Sequence, residues 1–127
     1  MTTYRHVRFA HYDLEVWQEA MDLVEQIYML TEQFPSSERF NLIAQCQRSA
    51  VSVPSNIAEG AARGGNAEFV RFLKIARGSL MELDTQLHIA LRLSYVSISK
   101  IPIEAIQKLS AKINRLIKHR LKKGGSP

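Results

Sequence analysis

The stretch EFVRFLKIARGSLMELDTQLHIALRL, residues 68–93, decides the fold class. From Phe69 onward apolar residues recur at steps of four and three: Phe69, Leu73, Ala76, Leu80, Leu83, Leu87 and Ala90. Only an α-helix keeps such a row on one side, because a strand would throw successive members to opposite faces. A second row, Phe72, Ile75, Ser79, Glu82, Gln86, Ile89 and Leu93, lies beside the first. Together they cover more than half of the circumference, wider than the roughly 100° stripe that seats a helix on one core. The spacing predicts a helix that is central in its own domain or packs on a second chain. Gly78 and Ser79 stand in the middle of it. Glycine costs up to about 1 kcal/mol there relative to alanine, so its presence suggests close approach by another backbone.

Working outward, a first helix is expected from Asp13, whose carboxylate suits a helix N-terminus, with Trp17, Ala20, Met21, Val24, Ile27, Tyr28 and Thr31 inward. Phe34-Pro35 ends it, because the residue before proline is pushed out of the α region. Ser36 or Ser37 would cap a second helix with Phe40, Ile43, Cys46, Ala50, Val53, Ile57 and Ala61 on its inner side. Pro54 lies within it, removes one backbone hydrogen bond and predicts a kink. Arg63-Gly64-Gly65-Asn66 stops that helix and starts the next. After a connector from Ser94 to Ile101, Pro102 opens a fourth helix with Ile103, Ile106, Leu109, Ile113, Leu116, Ile117 and Leu121 inward. The reading is an all-α, up-down-up-down four-helix bundle, one domain over residues 1–127, with helix two kinked at the proline. Residues 1–12 form an arm of aromatic and basic groups that could stack on bases and contact phosphates, although its rings are rather expected to pack on the bundle or a neighbouring subunit. The tail 122–127 is expected to fray.

The chain has 127 residues, 46% of them hydrophobic and 23% charged, the balance of a folded protein with a substantial core. No apolar run reaches the roughly 18 residues of a membrane span, and the N-terminus lacks the apolar centre of a secretory signal, so a cytoplasmic location without membrane contact is expected. Cys46 is the sole cysteine, without a neighbouring basic or histidine activator in sequence, and reads as a core thiol in a reducing compartment.

The net charge of +5 is unevenly spread. Residues 13–33 hold six acids and no Lys or Arg, whereas residues 100–127 hold eight bases and one acid, Glu104. On helix four, Lys108, Lys112, Arg115, His119 and Lys122 fall within about 80° of one another on the side opposite the apolar row. This stripe is the candidate nucleic-acid-binding surface, suited to neutralising phosphates of RNA or DNA. Its rival is pairing with acidic helix one, which would set helix order instead. A second candidate set, Arg48, Asn56, Glu59, Arg63, Glu82 and Gln86, would form a structural polar network between helices two and three, because buried polar groups need partners.

Catalytic and metal-binding signatures are missing from the sequence. Four-helix bundles hold di-metal carboxylate sites through Glu-x-x-His pairs, and here Glu82 is followed by Thr85 and Glu59 by Ala62. The four histidines are scattered, and neither a phosphate loop nor a dinucleotide fingerprint is present. No metal, cofactor or enzymatic activity is expected.

Several blocks carry a resemblance: DLEVWQ at residues 13–18, SVPSNIAEG at 52–60, EFVRFLKIARGS at 68–79, Glu82-Leu83 and Gln86-Leu87. From about Asp13 to Tyr95 the chain resembles the bacterial four-helix-bundle proteins of 23S rRNA intervening sequences, once labelled a ribosomal protein. That family is related to the accessory variability protein of diversity-generating retroelements. The resemblance implies a bundle assembled as a ring, typically a homopentamer. In the related accessory protein it implies a basic pentamer that binds a reverse transcriptase and nucleic acid. It carries over no catalytic residue. The expected function is a homo-oligomeric, non-enzymatic nucleic-acid-binding protein; the alternative is a scaffold docking another protein, such as a polymerase.

Overall fold

α3 (Asn66–Arg92) is the longest of four helices and packs against both α2 (Leu42–Ala62) and α4 (Ile103–Gly124), while α1 (Glu15–Thr31) closes the bundle between α2 and α4. The computed structural model describes residues 8–124. Tyr4, Arg5, His6 and Val7 of the arm and residues 125–127 of the tail lie outside the described residues. Three short 3-10 turns, Ala10–Asp13, Ser36–Glu38 and Ile98–Lys100, complete the described chain.

The first row of α3 forms the centre of the core, with Leu73, Leu80, Leu83 and Leu87 buried against Leu23, Ile27, Val53, Ile57, Leu109 and Ile113. Burying each such side chain contributes about 1.5–3 kcal/mol before conformational entropy is subtracted. Cys46 lies in this core, and burial pushes its thiol up to about 11, consistent with an inert apolar role. α2 and α3 run in opposite senses, since Ser52 meets Ser79 while Gly60, nearer the connecting turn, meets Phe72 and Phe69. α2 continues unbroken through Pro54, which is buried. Gly64, at φ 86°, takes the left-handed conformation that ends α2.

Several expectations are corrected. The close backbone approach belongs to Gly60, where a Cβ would lie 2.7 Å from Phe72 Cβ; at Gly78 nothing lies within 4 Å. Phe40, placed inward by periodicity, is 89% exposed because α2 begins only at Leu42 and Phe40 sits in the preceding turn. Asp13 does not cap α1: it belongs to the 3-10 turn and pairs with Arg8, and α1 starts after Leu14. Neither Ser36 nor Ser37 caps α2; Glu38 reaches forward to accept the Leu42 N–H at 3.2 Å. Asn66 is the first residue of α3 rather than its cap. α4 extends to Gly124, so Lys122 and Lys123 belong to its last turn. The described end of the arm behaves as expected: His11 and Tyr12 pack on Trp17, with ring centroids 5.0 and 5.6 Å away.

The second row of α3 divides. Phe72 and Ser79 are buried against α2, but Ile75, Glu82, Ile89 and Leu93 stay exposed. The wide apolar arc therefore exceeds what this chain covers.

Candidate nucleic-acid interface

α4 is built for two jobs by its period. Ile106, Leu109, Ile113 and Ile117 face the core, and the opposite side is left to polar residues. Lys108, Arg115, His119 and Lys122 are all exposed there, and Lys118, Lys122 and Lys123 extend the row to the end of the helix. None of Lys108, Arg115, Lys118, Lys122 or Lys123 makes an ion pair with a described carboxylate.

Lys112 separates from this group. Its ammonium binds Glu19 and lies 2.9 Å from Glu15, and its side chain is only 15% exposed. Hydrogen bonds to Glu19 and then Glu15 raise its pKa, outweighing the desolvation that opposes them. The Lys112 hydrogen bond and charge hold Glu15 below the usual carboxylate range, with smaller contributions from Lys108 and Arg115. The internal pairing of acidic α1 with basic α4 is thus real, and among the described cations of α4 it engages Lys112 directly. Lys112 sits on the edge of the stripe nearest α1, the edge that also carries half-buried Leu116.

Sequence reading missed Lys118, which lies beyond the drawn edge of the stripe, and the basic groups of the neighbouring bundle end. Arg120 donates to Asn66 Oδ1 at 3.1 Å and stacks over Phe69 at 4.8 Å, joining the end of α4 to the start of α3. Arg63 and Arg71 flank the Phe72 ring at 4.9 and 4.6 Å, and each also pairs with a carboxylate, Glu59 at 2.8 Å and Glu68 at 3.1 Å. Arg77 donates to Asn114 Oδ1 at 2.8 Å. The signal was present in the alternation of Arg with Phe near the α2–α3 turn, but its geometry needed the fold.

The expected network of Arg48, Asn56, Glu59, Arg63, Glu82 and Gln86 does not form as one unit. Arg63 lies at the α2–α3 turn, whereas Glu82 is sixteen residues into α3, about 24 Å along its axis. Glu59 therefore pairs with Arg63 within α2, while Glu82 and Arg48 are exposed and make no ion pair with a described residue. Asn56 bonds to Ser52, whose hydroxyl shares a 2.8 Å hydrogen bond with Ser79 across the helix seam. The Gln86 side-chain oxygen is buried without a partner among the described residues.

Among the described residues no cluster of three or more His, Cys, Asp or Glu side chains could hold a metal, and no described helix is long and apolar enough to cross a membrane. His88 approaches Asp84 at 3.5 Å, an ordinary pair one turn apart on an exposed face. What the fold defines is a small helical-bundle protein whose apolar core is flanked by an acidic first helix and a basic last one. Its family follows from a direct match: the model described as 23S rRNA-intervening sequence protein covers residues 12–119, and the chain belongs to that family. Comparison with curated proteins gives no match.

Proposed function

We propose that this protein is a non-enzymatic, homo-oligomeric bundle that binds nucleic acid through the outer face of α4, with little dependence on base sequence. The observation that carries the reading is the row of exposed cations, Lys108, Arg115, Lys118 and Lys122, without ion-pair partners among the described carboxylates. Unpaired cations on one face act on phosphates and release condensed counterions; each contact lowers log K by about 0.9 per tenfold rise in salt on duplex DNA. Four contacts per protomer would weaken binding roughly 10²-fold between about 50 and 200 mM salt.

Assembly multiplies this surface. The exposed remainder of the α3 arc, Ile75, Met81, Ile89 and Leu93 around unobstructed Gly78, supports packing against another copy. The buried, unpaired Gln86 oxygen beside it is an acceptor that a neighbouring donor would satisfy. Light scattering should give several times 14.4 kDa, and a monomer at micromolar concentration would remove the oligomer from the proposal.

The binding test compares wild type with Arg115→Glu/Lys118→Glu at two salt concentrations, on RNA and on duplex DNA. Expected are weaker binding and a shallower salt slope with an unchanged melting temperature, since both side chains are exposed. Binding that keeps its affinity and slope in this variant refutes the α4 surface. If no nucleic acid binds at all, the protein-docking alternative takes its place.

A further inference from the structure

We infer that the groove between α1 and α2 is a docking site for an amphipathic helix with a basic polar face, supplied by a protein partner. The proposal is independent of the nucleic-acid reading, which uses the opposite charge on a different helix.

The groove begins where Thr31 accepts a hydrogen bond from the Gln47 amide at 3.1 Å, holding α1 beside α2. Exposed apolar side chains stand on both helices near that contact: Tyr28 three residues before Thr31 and Met21 two turns earlier on α1, Val51 one turn after Gln47 on α2, and Phe40 just ahead of α2. Phe40 borders an open concavity of about 510 Å³ that also includes Phe34, Ile43, Gln47, Glu32 and Arg39. The Arg39 guanidinium lies 5.5 Å from the Phe40 ring centroid, so the acidic ridge that would select a basic partner is the α1 side of the groove. An exposed phenylalanine beside a concavity of that size is a place for one bulky partner side chain. From Met21 to Glu32 the α1 wall extends about 16 Å, three helical turns, enough for anchors spaced at i, i+3 or i+4, and i+7.

Charge selects the partner. Met21, Glu25, Tyr28 and Glu32 follow steps of four, three and four, so carboxylates alternate with apolar groups along one ridge. Glu25, Glu32 and nearby Asp22 are exposed and pair with no described cation, unlike Glu15 and Glu19, which hold Lys112. No Lys or Arg stands anywhere in residues 13–33. Such a ridge repels phosphates and attracts Lys or Arg. The chain's own basic face is a poor occupant: on α4 the outward residues Lys108, Ala111, Arg115, Lys118 and Lys122 carry no large apolar side chain to fill the groove. A partner helix with Leu or Phe on one side and Lys or Arg on its flank fits both features.

The test uses the full-length protein and a synthetic helix of about five turns, with Leu at alternating three and four spacing and Lys on the remaining face. Its binding is followed by anisotropy of a label on the peptide and by emission of Trp17, the single tryptophan, which lies one turn before Met21 on the same face. Saturable binding of the Lys peptide, absence of binding by its Lys→Glu counterpart, and at least tenfold weakening by Glu25→Lys/Glu32→Lys are expected. Phe40→Ser should weaken it about tenfold without lowering the melting temperature, since Phe40 supports no core contact. Equal binding of both peptides, or binding indifferent to all three substitutions, overturns the proposal. So does failure of the Lys peptide to bind wild type. A drop in oligomer size on Phe40→Ser or Glu25→Lys/Glu32→Lys also overturns it, because the occupant is then a second copy of this chain.

Discussion

Replacing Gly60 by alanine tests the packing of the central hairpin directly. A Cβ at residue 60 would stand 2.7 Å from Phe72 Cβ and 3.1 Å from Phe69 Cδ1. Carbon pairs are most favourable at about 3.5–4.0 Å, so α2 and α3 would have to separate locally by roughly 1 Å. Relief by side-chain rotation is limited, because Phe72 Cβ moves only with its backbone and its ring is held between Arg63 and Arg71. Overpacking of this kind costs about 1–3 kcal/mol, against a gain of up to about 1 kcal/mol from replacing a helical glycine. The net expectation is a loss of about 1–2 kcal/mol, which lowers the melting temperature of a domain this size by roughly 4–8 °C. Thermal melts followed by far-UV circular dichroism measure it. Gly78→Ala is the matched control, since nothing described lies within 4 Å of its added methyl. In dilute protein it should melt higher, by up to about 1 kcal/mol of added stability, while weakening the proposed assembly across α3. A Gly60→Ala protein as stable as wild type, or stabilised like Gly78→Ala, would refute the close α2–α3 contact.

Lys112→Met removes both contacts to Glu15 and Glu19 and should lower the urea midpoint. That advantage of wild type should be flat through neutral pH. In acid it is lost as pH falls through the folded pKa of Glu15, which lies below its ordinary value of 4.5. In alkali it is lost as pH rises through that of Lys112, which lies above 10.5. A difference that stays constant from strong acid to strong alkali would show that the lysine acts through packing alone. Ser94, at φ 63°, ends α3 in the left-handed region, so Ser94→Gly should raise the urea midpoint by up to about 1 kcal/mol of stability without changing the slope.

How much was legible follows from how local each feature is. The rows Phe69–Ala90 on α3 and Ile106–Ile117 on α4 were readable because a helix repeats about every 3.6 residues whatever surrounds it. Boundaries were less so: Asp13, Ser36 and Asn66 are good capping residues by type, yet Leu14, Asn41 and Gly65 hold the cap positions without side-chain cap bonds. A short 3-10 turn ahead of α1 and another ahead of α2 shift each start by one to several residues. The candidate stripe on α4 was visible as a pattern of cations, but which of them stay unpaired was not. Arg115 and Lys112 are about 60° apart on the helix, and only the one nearer α1 meets Glu15 and Glu19.

By itself, then, the sequence determined the helices, the core rows Phe69–Ala90 of α3 and Ile106–Ile117 of α4, and the opposition of an acidic α1 to a basic α4, because period and charge are properties of each segment alone. On α1 it placed Met21 and Tyr28 inward, whereas the structure exposes both and buries Leu23 and Leu30. The tertiary structure decided that Gly60 rather than Gly78 carries the close approach, that Glu82 is out of reach of Arg63, and that Phe40 and half of the second α3 row remain uncovered. These depend on where one helix axis lies relative to another. A helix exposes every direction equally until its neighbours are placed, and a shift of one turn, about 5.4 Å, is enough to exchange one partner for the next.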